Sequence, residues 1–411
     1  MGMEKEGKRS ALIYLVSTIF ARAVPFLLMP ILTNFLSLEQ YGYIGLYLVL
    51  CSFGTTYVGL RPDVYLMREY THRADEFNTV RAAMFLLVFF SAIVFLPIGF
   101  FASIWFLPAE ISAGLMISLV TVVSVLGACL RIIKTEFQIE GRPILYALME
   151  ISAVVIHSVL AVVFVLLVDQ TWTSKVYAEI SGVLVALGIG FILCRRKLFV
   201  FDSATVVREL SAGFRYLWPL TFFVGCFSVL KISDRVVISE FLGAEELGLY
   251  TVAYMYGMIL GVVHEALERA WNPYFFRTYS LEGGRKRIYR SQISYFIFSA
   301  LLYVVFIFIA PKVFVFMVDE KYASGADFIP VLALAYTFEG CRKVLCGYLY
   351  VSAKTGLLSV ITVFAAVVNV LLNINLIPVY GLNGAAYSAA VGFFLMFSMT
   401  AMASWLHLRS R

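Results

Sequence analysis

Twelve long apolar stretches limit what this chain can fold into more than any other feature of its sequence. A helix that crosses a bilayer needs about 20 mostly apolar residues, and each stretch is close to that length. They lie near residues 11–32, 43–60, 82–107, 111–130, 144–168, 176–194, 215–238, 248–270, 291–310, 328–351, 356–377 and 385–406. The sequence therefore predicts an all-α integral membrane protein with twelve transmembrane helices and no inserted soluble domain.

The composition supports the same conclusion. Of the 411 residues, 61% are hydrophobic and 14% are charged, whereas a soluble domain has about 45–50% apolar and about 25% charged residues. A soluble core of this length could not bury so much apolar side chain. The six cysteines lie in or at the ends of apolar runs without paired spacing, so we predict no disulfide framework, no metal site and no cofactor.

Lysine and arginine are distributed unevenly between alternate loops. Twenty-four of them fall on the side of the two termini, and three (Lys175, Lys312 and Lys321) fall on the other side. Cytoplasmic loops carry the excess of basic residues, so we predict that both termini are cytoplasmic. The same asymmetry accounts for the net charge of +6, and we therefore predict no nucleic-acid partner.

The two halves of the chain repeat a motif. "FLSLEQYGYIGLY" (35–47) reappears as "FLGAEELGLYTVA" (241–253), and "PDVYLMREY" (62–70) parallels "WNPYFFRTY" (271–279). Six helices in each half place both halves in the membrane the same way, as in transporters with parallel repeats. We predict an N-terminal six-helix lobe over residues 1–200 and a C-terminal six-helix lobe over residues 201–411.

Several segments resemble those of a known family. "RAVPFLLMPILTNFLSLEQYGYIGLY" is similar to the first-helix-and-loop signature of bacterial polysaccharide flippases, the Wzx-type translocases. "SDRVVISEFLGAEELGLYTVAYMY" with "ALERAWNPYFF" resembles their seventh and eighth helices, and "GLNGAAYSAAVGFF" (381–394) resembles their last helix. The resemblance covers the whole chain, and its motifs are shared by a superfamily that also holds multidrug extruders and lipid II flippases.

This resemblance implies a MATE-like fold with two lobes around a central cavity, working by alternating access in the bacterial inner membrane. It implies an undecaprenyl-pyrophosphate-linked oligosaccharide as substrate, flipped from the cytoplasmic to the outer leaflet for O-antigen or other surface polysaccharide assembly. The implied partners are this lipid-linked sugar, membrane lipids, and polysaccharide polymerase and chain-length proteins.

Besides charges near helix ends that water can reach, seven charged residues fall inside the predicted spans. Ionisable groups at mid-bilayer cost about 2.5–3.5 kcal/mol or more, so they face a bundle interior or a wet cavity. Residues three and four apart share one helix face, which applies to the charges of helix 7 and to those of helix 10. The charges are Arg22 in helix 1, Lys231, Asp234 and Arg235 in helix 7, and Glu339, Arg342 and Lys343 in helix 10.

Two interpretations of these charges stay open. In one, the acids only neutralise bases, with Asp234 pairing with Lys231 or Arg235, and Glu339 pairing with Arg342 or Lys343. In the other, five bases exceed two acids by three, and the excess binds a pyrophosphate, whose oxygens match Arg and Lys donors. The second interpretation assigns substrate binding to Arg22, Lys231, Arg235, Arg342 and Lys343, and ion coupling to Asp234 and Glu339.

The remaining polar and proline residues of the spans receive simpler interpretations. We expect His157 and His264 to be hydrogen-bonded packing residues, and Pro219 to be a first-turn proline. We expect Pro25 and Pro30 to loosen helix 1. Four acids near helix ends are expected to be solvated: Glu150, Glu179, Glu265 and Glu268.

Two alternative functions remain. A cation-coupled small-molecule or drug antiporter belongs to the same superfamily, but the basic excess argues against an extruder of cationic drugs. A membrane polysaccharide polymerase or ligase needs a large external loop, and the longest outer loop here is 17 residues (311–327). The sequence contains no G-x-S-x-G motif and no P-loop, so we predict that the protein is not an enzyme.

Overall fold

The computed structural model describes residues 2–73, 76–104, 107–108, 110–194, 203–279, 281–352 and 354–409. Within these residues the regular structure is entirely helical, which confirms the all-α prediction. A 3-10 helix (Glu320–Phe328) accompanies the α-helices. The α-helices are α1 (Gly2–Leu27), α2 (Met29–Phe35), α3 (Leu38–Tyr57), α4 (Pro62–His72), α5 (Phe77–Ser103), α6 (Ala113–Ile139), α7 (Pro143–Leu167), α8 (Trp172–Cys194), α9 (Ser203–Leu242), α10 (Ala244–Gly257), α11 (Ile259–Tyr279), α12 (Gly284–Met317), α13 (Ile329–Val351), α14 (Thr355–Tyr380) and α15 (Leu382–Arg409).

The long helices identify a multi-pass membrane protein. Ten segments of the described chain are long and apolar enough to cross a membrane. Helices α9 and α13 are also of spanning length, and together with the ten they account for the twelve predicted spans. Many large apolar side chains are exposed, among them Phe316 and Leu167, as expected for surfaces that contact lipid.

Three of the spans are interrupted. α1 ends at Leu27 and α2 begins at Met29 with Pro30 in its first turn, so the expected loosening of helix 1 is a break in the helix. α10 and α11 meet at Met258.

Pro219 lies well inside α9 rather than in its first turn, so the prediction of a first-turn proline was wrong. α9 begins at Ser203, before the apolar run that was used to place its start.

The break between α3 and α4 carries backbone strain. Leu60 and Arg61 have φ values of 47° and 55°, a left-handed conformation that costs L-residues about 1–2 kcal/mol each. Pro62 then starts α4. The interruption frees carbonyl groups, and the Ser91 hydroxyl of α5 donates a 2.8 Å hydrogen bond to the carbonyl of Val58.

The repeated motif forms the same local structure in both halves. α2 ends at Phe35, and Ser37 caps α3 by accepting a hydrogen bond from the Gln40 amide. In the second copy α9 ends at Leu242 and α10 starts directly after Gly243. Gly243 has a φ of 90°, a conformation open to glycine at little cost, so the second turn is closed by backbone freedom rather than by a side-chain cap.

The chain divides into two compact units. The first unit comprises Met1–Gln40 and Leu46–Gly225, and the second comprises Tyr41–Gly45 and Cys226–Arg411. In the first unit a core forms around Tyr65, Met84 and Leu217. In the second, Trp271 packs with Phe275 and Tyr348. The compact units divide within α9 at Gly225, and the predicted lobe boundary at residue 200 lies outside the described residues.

Candidate functional site

The charges of α9 and α13 form one connected network in the second unit. The Lys231 ammonium of α9 lies 3.3 Å from the Glu339 carboxylate of α13. Glu339 is 2% exposed, and it also lies 3.9 Å from Lys343, one turn further along α13. The two helix faces that the sequence treated separately are therefore joined by Lys231 and Glu339.

Asp234 and Arg235 form the buried end of this network, each 5% exposed. The Asp234 carboxylate accepts hydrogen bonds from the Tyr250 hydroxyl at 2.6 Å and from the Arg235 amide at 2.8 Å. The Arg235 guanidinium lies 3.3 Å from the same carboxylate, and it donates to the Lys231 carbonyl at 3.2 Å. Its Nε atom is buried without a hydrogen-bond partner. Asp234 thus neutralises Arg235 and leaves Lys231 to Glu339.

A third acid enters the network from α11. The Lys343 ammonium lies 3.1 Å from the Glu268 carboxylate, which the sequence interpretation left solvated. Glu268 is therefore a functional candidate that sequence reasoning missed. Its only sequence signal is its place in the "ALERAWNPYFF" segment, and the partner is 75 residues away in the chain.

Arg342 is the base of this network that lacks an acidic partner among the described residues. Its Nη1 atom donates to the Cys346 sulfur at 3.3 Å, its Nε atom is buried without a hydrogen-bond partner, and its guanidinium carbon lies 6.0 Å from the Phe227 ring centre. Among the described residues, no carboxylate forms an ion pair with it. With Glu268 included, four bases of this unit face three acids, so the local excess is one positive charge.

Aromatic side chains enclose the network. The guanidinium of Arg235 lies 4.0 Å from the ring centre of Tyr254, a cation–π geometry. The Tyr254 hydroxyl donates to the Lys231 carbonyl and accepts a hydrogen bond from Tyr336. The Lys231 ammonium lies 4.8 Å from the ring centre of Phe227. These rings position the bases. The four-residue spacing of Tyr250 and Tyr254 on α10 is a sequence signal that could have revealed these two tyrosines.

Two further residues singled out from the sequence, Arg22 and His264, lie on α1 and α11. Arg22 is on an exposed part of α1, in the first unit. His264 is buried, and its Nδ1 atom is 2.8 Å from the Tyr295 hydroxyl, in agreement with a packing role. A Cβ atom on Gly340 would lie 2.2 Å from the His264 ring, so the glycine makes room for it.

Two further acids, Glu179 and Glu150, were expected to be solvated, and the structure gives each a partner instead. Glu179 accepts a 3.1 Å hydrogen bond from the Tyr47 hydroxyl, and Glu150 pairs with Lys134. Within the described parts of the chain, no three His, Cys, Asp or Glu side chains lie close enough together to hold a metal ion.

The first unit contains a second charged network, at the start of α9. Glu209 is 1% exposed and accepts hydrogen bonds from the Tyr65 hydroxyl at 2.9 Å and from Arg73 at 2.8 Å. Arg73 also contacts Glu69 at 2.6 Å. Burial alone would raise the pKa of Glu209, but the hydrogen bonds from Arg73 and Tyr65 hold that pKa below its usual value.

A buried ion pair joins α5 to α6 in the same unit. The Arg81 guanidinium lies 2.7 Å from the Glu136 carboxylate, and the side chains are 1% and 2% exposed. Removing one partner of such a pair leaves an uncompensated buried charge and costs about 3–5 kcal/mol. This pair therefore stabilises the packing of the two helices.

Two proteins of one organism are similar to this chain in sequence. An uncharacterized membrane protein of Haemophilus influenzae is 22% identical over 368 residues, covering 87% of each chain. The Lsg locus putative protein 1 of the same organism is 22% identical over 404 residues, covering 94% of this chain and 97% of that protein.

Solved transporter structures share the fold. An inward-facing multidrug resistance MATE family transporter of the MOP superfamily aligns with a TM-score of 0.73 at 15% identity, covering 97% of this chain and 98% of that chain. The lipid II flippase MurJ, in an inward closed conformation, aligns with a TM-score of 0.76 at 10% identity, covering 95% of this chain and 87% of that chain. The MATE-like fold that the sequence resemblance implied is confirmed. The family model described as polysaccharide biosynthesis protein matches residues 8–279, more than half of the chain, and the protein belongs to that family.

Proposed function

We propose that the protein flips undecaprenyl-pyrophosphate-linked oligosaccharide repeat units from the cytoplasmic to the outer leaflet by alternating access, and that it catalyses no covalent reaction. Membership of the polysaccharide biosynthesis family supports a substrate from that chemistry. The structural likeness to MurJ, a lipid II flippase, supports movement of a lipid-linked sugar by this fold.

The observation that carries the proposal is the positive charge of Arg342, which no carboxylate of the described residues neutralises. A partly buried guanidinium without a carboxylate partner is costly in a membrane, and an anionic ligand or water must compensate for it. A diphosphate is suited to the position because its oxygens can accept paired hydrogen bonds from a guanidinium. A cationic drug would meet a net positive site, which disfavours the drug-antiporter alternative.

Glu339 gives the site a means of control. Its carboxylate lies 3.3 Å from the Lys231 ammonium and 3.9 Å from the Lys343 ammonium. It therefore competes with a diphosphate for these two groups. Protonation of Glu339 releases Lys231 to the headgroup, whereas Lys343 keeps Glu268 as its partner. Protonation of Asp234 releases Arg235 in the same way. In this proposal the two acids couple an ion gradient to headgroup binding, and Arg22 of α1 remains a separately predicted headgroup contact.

The orientation of the chain is part of the proposal. We place the protein in the bacterial inner membrane with both termini and the start of α12 around Lys286 in the cytoplasm, and residues 311–327 outside. Polysaccharide polymerase and chain-length proteins would act on its product. Single cysteines in a cysteine-free background test this arrangement. An impermeant thiol reagent should label residue 321 in intact cells and label residue 286 only after lysis.

Complementation tests the function itself. Cells that lack their own copy of the gene should regain surface polysaccharide when they express the wild-type chain, and lose most of it with Arg342→Gln at equal membrane abundance. Arg269→Gln is the matched control, because Arg269 already has an exposed carboxylate partner, Glu265. Restored drug resistance without restored polysaccharide would favour the antiporter instead.

A further inference from the structure

A long apolar groove lies within the first unit. Its volume is about 720 Å³, and it is lined by residues of α3, α5 and the beginning of α9. Volumes of about 300–1,000 Å³ are typical of ligand pockets. No role has been assigned to this groove in the transport scheme so far.

The groove has the dimensions of a chain rather than of a compact molecule. It follows α5 from Leu87 to Ala102, which corresponds to about 22 Å at 1.5 Å per residue. The hydrocarbon core of a bilayer is about 30 Å thick, so the groove extends through most of it. The volume of 720 Å³, drawn out over this length, leaves a narrow passage.

The side chains that line the groove favour a hydrocarbon ligand. Apart from Ser91 and Tyr57, every lining side chain is apolar, and aromatic rings are frequent. The Ser91 hydroxyl is already engaged, because it donates to the Val58 carbonyl at 2.8 Å and contacts that of Leu87 at 2.9 Å. The wall is also open on one side, since Val94 and Ile98 of α5 are 59% and 63% exposed. A ligand from the membrane can therefore enter sideways.

One end of the groove is marked by positive charge. Leu60 and Phe214 line this end, and each is followed in the chain by an arginine, Arg61 and the exposed Arg215. Arg61 pairs with Asp63 at 3.0 Å, so Arg215 supplies the net positive charge. Leu60 and Arg61 are also the two residues with left-handed backbone, and strained backbone tends to persist at binding and switching sites. Apolar lining with net positive charge at one end complements an amphiphile with a long tail and an anionic head.

We propose that this groove holds the isoprenoid chain of the transported lipid, with the diphosphate end near Arg215 before the head is bound by Arg342. The inference rests on the proposed function, because a lipid-linked oligosaccharide must keep its tail in hydrocarbon while its head crosses. Phospholipid acyl chains have related chemistry, but they are bulk solvent here. A tail site is distinguished from bulk lipid by preference for the carrier lipid.

Site-specific photocrosslinking tests this preference with two matched positions. Ile98 lines the groove, whereas Ile93 is on the same helix, is 69% exposed and does not line it. Benzoylphenylalanine at each position is irradiated in vesicles of phosphatidylethanolamine and phosphatidylglycerol containing an alkyne-tagged polyprenyl diphosphate. We expect labelling at position 98 to exceed that at 93 several-fold, and to be competed by untagged polyprenyl diphosphate but not by added phosphatidylglycerol.

A second test narrows the groove. Ala102 lines the groove at an exposed position of α5, so Ala102→Phe places a ring in the groove. Ile93→Phe is the matched control, because Ile93 is exposed and does not line the groove. Ala102→Phe should abolish labelling at position 98 and reduce transport of a long-chain carrier more than that of a short-chain one, and Ile93→Phe should do neither. Val94→Trp, at another exposed lining position, provides a second obstruction should Ala102→Phe fail to fold.

The outcomes separate this inference from the proposed function. If the wild-type protein transports the lipid-linked sugar but labelling is equal at positions 98 and 93, or is competed equally by phosphatidylglycerol, the groove holds bulk lipid and the inference is wrong. If the wild-type protein restores no surface polysaccharide, the proposed function fails, whatever the labelling shows.

Discussion

Two groups of charges in this molecule are arranged in opposite ways. In the first unit, Arg81 pairs with Glu136, and Arg73 pairs with Glu69 and Glu209. In the second unit, the network of α9, α11 and α13 has three acids and four bases, and among the described residues the hydrogen-bond acceptor of the Arg342 guanidinium is the Cys346 sulfur. A neutralised network ties helices together at fixed positions, whereas a network with a spare base retains affinity for an anion. The comparison shows that pairing, rather than the number of charges, separates a structural network from a candidate binding site.

Breaking the neutralised network should have the largest effect on stability. Arg81→Met leaves Glu136 buried without its partner, so we expect the free energy of unfolding to fall by about 3–5 kcal/mol. Denaturant unfolding in detergent measures this loss, and transport per folded molecule should remain near wild type.

Arg142→Met is the control for Arg81→Met, because Arg142 pairs with Glu140 while its own side chain is 56% exposed. Exposed pairs contribute about 0–1 kcal/mol. Equal losses for the two variants would show that burial does not distinguish the pairs, and the comparison between the units would lose its basis.

The buried pair of the second unit should behave as a structural pair inside a functional network. Asp234→Asn leaves Arg235 without a carboxylate, and we expect a loss of stability of about 3–5 kcal/mol. Arg235→Gln in the same chain should recover about 0.5–3 kcal/mol of it. Thermal unfolding of the single and double variants measures the recovery.

Lys231→Gln serves as the control for this rescue. Lys231 pairs with Glu339 and not with Asp234, so neutralising it should not rescue Asp234→Asn. Rescue by Lys231→Gln but not by Arg235→Gln would contradict the pairing described here.

Replacing Arg342, the base without a carboxylate partner in the described structure, should reduce transport without reducing stability. Arg342 has no ion pair in the described structure to lose, so Arg342→Gln should leave membrane abundance near wild type. A hydrogen bond to a charged group contributes about 1.5–3 kcal/mol, so export of polysaccharide per molecule should fall about tenfold or more. Arg342→Lys should restore only part of it, because an ammonium lacks the planar fork. Reduced abundance with normal export per molecule would assign Arg342 to packing.

The smallest expected effect is the pH response of the first unit. Because the pKa of Glu209 is held low in the folded protein, its contribution to stability is present above the pKa of the unfolded state and is lost as the pH falls through the folded pKa. Glu209→Gln should therefore flatten the acid side of a plot of melting temperature against pH. A curve unchanged by the substitution would show that Glu209 does not contribute in this way.

The twelve spans and the helical repeat could be predicted because they depend on properties of the chain alone. Spanning length and apolar composition are read residue by residue, and the matched turns at residues 35–47 and 241–253 form similar structures. The start of α9 could not be found that way. Its first turns are polar and are held by Arg73 and Tyr65 from other helices, so the helix begins before its apolar run.

The site was predicted in its residues but not in its pairing. Spacing along one helix predicted that Asp234 could meet Arg235 and that Glu339 could meet Lys343, and the structure contains both contacts. The contacts of Lys231 with Glu339 and of Lys343 with Glu268 depend on how α9, α11 and α13 pack, which no local pattern encodes. The sequence predicted five bases and two acids, an excess of three positive charges. In the second unit the excess is one, because Glu268 joins the network and Arg22 belongs to the first unit.

The binding of polyprenyl diphosphate to the purified protein tests the central claim most directly. Dissociation constants are measured for wild type, Arg342→Gln and Glu339→Gln, with the uncharged polyprenyl alcohol as the reference ligand. We expect the diphosphate to bind more tightly than the alcohol, and Arg342→Gln to weaken diphosphate binding about tenfold or more. We expect Glu339→Gln to strengthen it because Lys231 loses its carboxylate partner. Equal dissociation constants for the three proteins, or for the two ligands, would contradict the claim that the uncompensated charge of the second unit binds the headgroup.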